Sequence, residues 1–141
     1  MTPDALARLH AASFTTPRPW SAAEFASLLS SPGVFLTGTE AGFAMGRAGL
    51  DEAELLTIVI DPARRGQGLG RALLAAFHAD AAAQGACRAF LEVSAENVPA
   101  IGLYRSAGWQ EDDRRPRYYA TPEGRRIDAL LFSRGLETRG N

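Results

Sequence analysis

The residues of this 141-residue chain whose types and spacing point most directly to chemistry are Arg65-Gly66-Gln67-Gly68-Leu69-Gly70. They lie between an apolar run ending at Ile60 and a helical pattern that opens at Leu69. Glycine has no Cβ, so a bulky ligand can approach this backbone closely. The first amides of a helix lack intrahelical acceptors, and the helix dipole puts partial positive charge on them. An anion, above all a pyrophosphate, is the natural occupant of such a turn. Arg64, Arg65 and Arg71 add positive charge around it.

Several phosphate-binding loops are built this way, and the spacing separates them. A P-loop ends in Gly-Lys followed by Ser or Thr, whereas Gly70 is followed by Arg71-Ala72. A dinucleotide fingerprint needs other glycine spacings, although Glu92 lies near the distance of its acidic partner. The acetyl-CoA pattern Gln/Arg-x-x-Gly-x-Gly/Ala fits in full, from Arg65 through Gly68 to Gly70. A glycine-rich turn that merely ends a strand is the plain alternative.

Other residues could act on a ligand held there. Glu92 stands mid-strand between Leu91 and Val93, alternating with Phe90 and Ser94. A carboxylate inside a sheet is costly unless it is paired, solvated through a cleft or functional. A salt bridge to a neighbouring arginine is its plain reading. Glu54 opens the strand leading to the loop and is the rival carboxylate, or an edge charge in water. Tyr104 falls on a helix, where its ring can pack while its hydroxyl reaches a cleft. A core tyrosine is the plain reading there. Asn97 is a helix cap by position. Arg114, Arg115, Arg117, Arg125 and Arg126 surround Tyr118 and Tyr119 and are partly balanced by Glu111, Asp112 and Asp113. Such a group is usually a solvated face. The sharper reading makes Tyr118 and Tyr119 the wall of an acceptor groove. Cys87 reads as packing, and His10 and His78 have no metal-ligand spacing.

The elements that must position these residues follow from periodicity and punctuation. Asp4 can cap a short first helix. Ser21 and Glu24 have capping-box spacing, Trp20 and Phe25 flank them as a staple, and that helix should run to Leu29. Strands are expected over Val34 to Gly38, Gly42 to Gly49 and Ala53 to Ile60, the last buried on both faces and stopped by Asp61-Pro62. A helix spans Leu69 to Gln84, with Leu69, Leu73, Phe77 and Ala81 on one stripe and Gly85 as its end. Then come a strand over Arg88 to Ser94, a helix opened by Asn97 and Pro99 and closed by Gly108, a weaker strand over Trp109 to Arg114 and a stronger one over Ile127 to Phe132. The order indicates an α/β or α+β fold on one mixed sheet, a single domain over residues 1–136 with a frayed tail at 137–141.

Composition sets outer limits. A formal net charge of −1 gives no global electrostatic reason to bind nucleic acid or an anionic membrane. One cysteine excludes an internal disulfide and suits a reducing compartment. No run reaches the ~18–20 apolar residues of a membrane span, and the N-terminus does not read as a signal peptide. A soluble, cytoplasmic protein is expected, with oligomeric state unreadable.

The sequence resembles the Gcn5-related N-acetyltransferases (GNAT), and within them the RimI type that acetylates ribosomal-protein alanine. The resemblance rests on Pro19-Trp20-Ser21, Asp51-Glu52-Ala53-Glu54-Leu55, Ile58-Val59-Ile60-Asp61-Pro62, the glycine loop through Leu74, Leu91-Glu92-Val93, Asn97 with Ala100 to Tyr104, Gly108-Trp109 and Tyr118-Tyr119 with Glu123-Gly124-Arg125. It implies a mostly antiparallel twisted sheet splayed at the acetyl-CoA site and flanked by helices. It implies that backbone groups of Ile58, Val59 and Ile60 pair with the pantetheine arm. Arg65, Gly66, Gln67, Gly68, Leu69, Gly70 and Arg71 would hold the pyrophosphate, and Asn97 would contact the arm near the thioester. It further implies Glu92 as general base and Tyr104 as general acid, in direct transfer without an acyl-enzyme or a metal. The expected acceptor is a protein N-terminus. A small amine on the same scaffold, or a non-catalytic acyl-CoA-binding module, is the alternative. One departure stands out: only Met1 to Pro3 precede the first helix, where family members place a strand, so that strand should be short or missing and a sheet edge left for a partner chain to cover.

Overall fold

The computed structural model describes residues 1–14 and 18–136, and the tail expected to fray, 137–141, lies outside them. Helix α1 (Pro3–Ser13) begins where Thr2, not Asp4, caps it: the Thr2 hydroxyl accepts the Ala5 amide at 3.1 Å. Pro3 at the first helical position needs no amide acceptor, and Asp4 favours the positive end of the dipole from inside the first turn. Helix α2 (Ala22–Leu29) has the expected capping box between Ser21 and Glu24. The staple rings of Trp20 and Phe25 lie 5.4 Å apart.

Six strands follow: β1 (Val34–Thr39), β2 (Gly42–Gly49), β3 (Glu52–Ile60), β4 (Arg88–Ser94), β5 (Gln110–Ala120) and β6 (Arg126–Gly135), with α3 (Leu69–Ala83) and α4 (Val98–Ser106) between them. They form one sheet in the order β1-β2-β3-β4-β6-β5. All neighbours are antiparallel except β3 and β4. Among the described residues no strand precedes α1, and β1 takes the sheet edge beside α2. Strand β5 runs past Arg114, its expected end, to Ala120 and through Pro116. It can do so because β5 is the other edge and Pro116 falls in an irregular stretch of its pairing, where no ladder amide is needed.

Two features open the middle of this sheet. The β2–β3 register steps from Gly46 opposite Leu55 to Met45 opposite Thr57, so Leu56 is a bulge without a partner on β2. Beyond it the strand has turned. Leu55 packs with Leu74 and Phe77 of α3, whereas Val59, which a regular strand would put on the same face, joins the cluster of Leu6, Phe25 and Phe43 under α1 and α2. Strands β3 and β4 then pair only over Glu52–Arg88, Ala53–Ala89 and Glu54–Phe90, although β3 continues to Ile60 and β4 to Ser94. The two halves of the sheet part at that point. Below the gap they stay joined by one buried cluster that includes Leu55, Leu73, Phe77, Leu91, Tyr104 and Phe132.

Candidate active site

Parting β3 from β4 leaves the far side of residues 55–60 without a strand neighbour, and this gap is lined by two adjoining cavities. The deeper one is walled by Leu55 to Ile58 on one side and Leu91 to Ser94 on the other, closed by Asn97, Ala100 and Tyr104 of the α4 segment. The second runs outward past Ile58, Val59 and Ile60, with Arg65, Asn97, Pro99, Ala100 and Leu103 across from them. Ile58, Val59, Ile60, Arg65 and Asn97 are thus brought together as the sequence suggested. Asn97 does both jobs its position allows: it caps α4, accepting the Ala100 amide at 3.3 Å, and it lines both cavities.

The glycine loop leaves β3 through a short 3-10 turn, Pro62–Arg64, capped by Asp61. Gly66 and Gly68 have φ of 82° and 76°, in the left-handed region. A Cβ built at either would meet open space, so backbone conformation and an unobstructed approach are what require glycine there. Gly68 is the N-cap of α3 and has no side chain to satisfy the first amides, which stay free for an anion. Gly70 serves a different end, since its missing Cβ makes room for Leu103 of α4. Leu69 lines a separate groove against the β1–β2 hairpin, so only its backbone is left for the loop's ligand. The free amides, the open approach and the surrounding Arg64, Arg65 and Arg71 suit a pyrophosphate-bearing co-substrate.

Glu92 faces the deeper cavity with its side chain 28% exposed. The salt bridge weighed from sequence exists: Arg115 Nη1 donates to Oε2 at 3.3 Å. The other oxygen, Oε1, accepts the Tyr119 hydroxyl at 2.7 Å. Burial first, and then the Glu92 carboxylate, push the Tyr119 phenol far above its ordinary range. Tyr104 is 5% exposed, with its ring between Trp109 and Phe132. Its hydroxyl has no protein hydrogen bond among the described residues, and the residue lines the deeper cavity. Burial pushes its phenol far up as well, so it carries its proton throughout the neutral range. Tyr118 stands apart, 46% exposed, edge-on to Tyr119 and under the Arg115 guanidinium. Glu54 does not line the deeper cavity. It sits in an outer groove with Arg47, Glu52 and Phe90, where burial raises its carboxyl above the usual range against the pull of Arg47.

The arrangement of glycine loop, parted strands, carboxylate and tyrosine matches a known architecture. The model of the acetyltransferase (GNAT) family matches residues 4–109. The chain belongs to this family. It is an N-acetyltransferase with the splayed GNAT sheet. A ribosomal-protein-alanine N-acetyltransferase of Escherichia coli is 40% identical to it over 119 residues, spanning 82% of this chain and 80% of the relative. An N-alpha-acetyltransferase of the RimI type from Mycobacterium tuberculosis is 40% identical over 122 residues, 80% of this chain and 75% of its own. The crystal structure of the Escherichia coli ribosomal-protein-alanine enzyme superposes with a TM-score of 0.86 at 34% identity, over 99% of this chain and 90% of that one.

The acetyltransferase site also holds residues that sequence reasoning passed over. His10 of α1 lines the deeper cavity and is 2% exposed, stacked on Phe14 and Trp20. The Trp20 amide donates to its Nδ1 at 3.1 Å, so Nε2 carries the proton and donates to Thr57 Oγ1 at 3.2 Å. Burial lowers the His10 imidazole to about 4. Nothing local announces this role, because Thr57 is 47 residues away. Leu56 also lines the cavity, and only the register reveals its bulge. Cys87, expected to pack, is instead exposed on the turn before β4. Among the described residues no group of His, Cys, Asp and Glu could hold a metal, and no helix is long and apolar enough to cross a membrane.

Proposed function

We propose that this acetyltransferase uses acetyl-CoA to acetylate the N-terminal α-amine of a protein, with Glu92 as general base and Tyr104 as general acid. The observation that carries the reading is that Glu92 and Tyr104, from β4 and α4, line one cavity at the point where β3 leaves β4. The co-substrate supplies an activated acetyl thioester. Backbone groups of Ile58, Val59 and Ile60 hold its arm as a strand neighbour would, and Gly66 to Arg71 hold its pyrophosphate. Glu92 removes a proton from the incoming ammonium so that its lone pair can attack. The backbone at the Leu56 bulge supplies a donor to the carbonyl oxygen as it gains charge. As the C–N bond forms and the C–S bond breaks, Tyr104 delivers its proton to the departing sulfur, and the second proton shed by the acetylated nitrogen restores the phenol. No step needs a metal.

An α-amine, with a pKa of about 8, is easier to deprotonate near neutrality than a lysine at about 10.4. The names of the two relatives favour the same acceptor class, ribosomal-protein alanine above all. Tyr119, on the wall opposite β3, would border the acceptor, with Tyr118 at its rim. A ribosomal-protein acceptor favours the cytoplasm as the site of action, where an exposed free Cys87 would stay reduced. The test is a screen of peptides with N-terminal Ala or Ser against polyamines, amino acids and aminoglycosides, with acetyl-CoA present and free thiol read out. Turnover of the small amines in preference to the peptides would overturn the acceptor, and thiol release with neither would overturn the reaction.

A further inference from the structure

The β5–β6 ladder carries an irregularity that the mechanism above does not use. Arg115 pairs with Ala129 and Tyr119 with Ile127, so Pro116, Arg117 and Tyr118 all face the single residue Asp128. Arg117 has φ of 55°, in the left-handed region where a Cβ crowds the following carbonyl. A residue so strained persists only where its surroundings hold it. Here the holding groups are in view. Asp128 Oδ1 accepts the Arg117 amide at 2.9 Å, and Oδ2 accepts from Arg114 Nη1 at 3.0 Å. The Arg117 carbonyl accepts from Arg126 Nε and Nη2 at 3.1 and 2.9 Å. The Asp128 carbonyl accepts the Ala95 amide at 2.9 Å, which ties the clamp to the end of β4.

The residues flanking this loop-out are the two that reach Glu92. Arg115 leaves the ladder just before it and donates to Oε2, and Tyr119 rejoins the ladder just after it and donates to Oε1. A regular strand fixes side-chain direction by simple alternation. Extra residues break that alternation and re-aim the side chains on either side. We propose that Asp128 is a positioning residue: by clamping the strained Arg117 turn, it places Arg115 and Tyr119 on Glu92 and builds the acceptor wall of the cavity. This rests on the reading of that cavity as the acetyl-transfer site. The hydrogen bond from the Arg117 amide keeps the Asp128 carboxylate in its charged form, with Arg114 adding to it.

Glycine adopts the left-handed region without strain, so Arg117→Gly should make the clamp unnecessary. That gives a cycle of four proteins: wild type, D128A, R117G and the double variant, with D128N as the gentler change. The first measurement needs no acceptor. The half-buried Tyr119 phenol, held beside Glu92, should stay protonated while ordinary phenols ionise. Freed by D128A, it should ionise near the usual value of about 10, adding about one phenol of tyrosinate absorbance by pH ~11. R117G alone should match wild type, the double variant should return most of the way to it, and D128N should fall between wild type and D128A. A D128A trace that matches wild type overturns the inference. The second measurement uses an N-terminal-alanine peptide. D128A should raise the peptide KM about tenfold, leave the acetyl-CoA KM within about twofold, and do so far less in the R117G background. Equal rises in both KM values, or the same rise in both backgrounds, assign Asp128 to general stability and sink the proposal. A wild-type enzyme that ignores the peptide refutes the acceptor reading, and the phenol titration still decides the role of Asp128.

Discussion

Glu92 and Tyr104 divide the proposed proton traffic, and their environments differ in the way that division needs. Glu92 is part-exposed and held by two donors, so it can give up or share a partner when an ammonium arrives. Tyr104 is buried, protonated and part of the cavity lining. Glu92→Gln keeps the shape and removes the base, so kcat should fall by ~10²–10⁴-fold. The dissociation constant of acetyl-CoA, measured by calorimetry, should barely move. Tyr104→Phe should lower kcat by about 10²-fold, the lower end of general-acid effects. Restoring the rate with an acyl donor whose thiol leaves more readily would confirm that the lost proton was destined for sulfur. An unchanged deficit would remove Tyr104 from that role.

At the scale of elements, the glycine loop depends on conformation as much as on charge. Gly68→Ala puts a Cβ where φ is 76°, which should cost about 1–2 kcal/mol. The N-terminus of α3 should then tilt or fray and acetyl-CoA affinity should drop, both measurable by thermal melting with and without ligand. A variant that melts lower but binds as before would separate the loop's fold from its binding. This loop was legible in the sequence because its signals are local: glycine spacing, an apolar strand before it and an amphipathic helix after it. The α2 capping box was legible for the same reason. What escaped depends on partners far along the chain. His10 reads as an ordinary helical residue until Thr57 and Trp20 close on it. The Leu56 bulge is a property of the β2–β3 register and has no composition of its own. The length of β5 beyond Arg114 depends on its being an edge strand that tolerates Pro116, which topology decides. Thr2 lost to Asp4 in the reading of α1, although Thr2-Pro3 is the better start signal. The resemblance to a family, and not periodicity, supplied the roles expected of Glu92, Tyr104 and Asn97.

At the scale of the whole molecule, two imidazoles, buried His10 and half-buried His78, govern behaviour in acid. His10 and His78 are both lowered to about 4 by burial, His78 also by the Arg134 guanidinium. In the unfolded chain each takes up a proton below its ordinary value of about 6.5. Between those two limits the unfolded state binds more protons, so stability falls as pH falls. The stabilisation is fully present above pH ~6.5 and is lost on the way down to ~4. The melting midpoint should decline across that window, and calorimetry in buffers of different ionisation heat should register proton uptake on unfolding. A midpoint that stays flat from pH 6.5 to 4.5 would contradict the neutral state of both rings.

The short juncture between β3 and β4 ties the protein's persistence to its own substrate supply. Three residue pairs hold the two half-sheets together above the core. A ligand arm laid along residues 58–60 would act as a clasp, supplying from outside the hydrogen bonds that the chain does not make for itself. By mass action such a clasp adds about 2.7 kcal/mol when free acetyl-CoA stands at 100 times its dissociation constant. The melting temperature should therefore climb with acetyl-CoA concentration, and the amides of Ile58 to Ile60 should gain protection from hydrogen exchange as it does. Starved of acetyl-CoA, the enzyme is expected to become both idle and short-lived, so that its abundance follows the metabolic state in which acetylation can proceed.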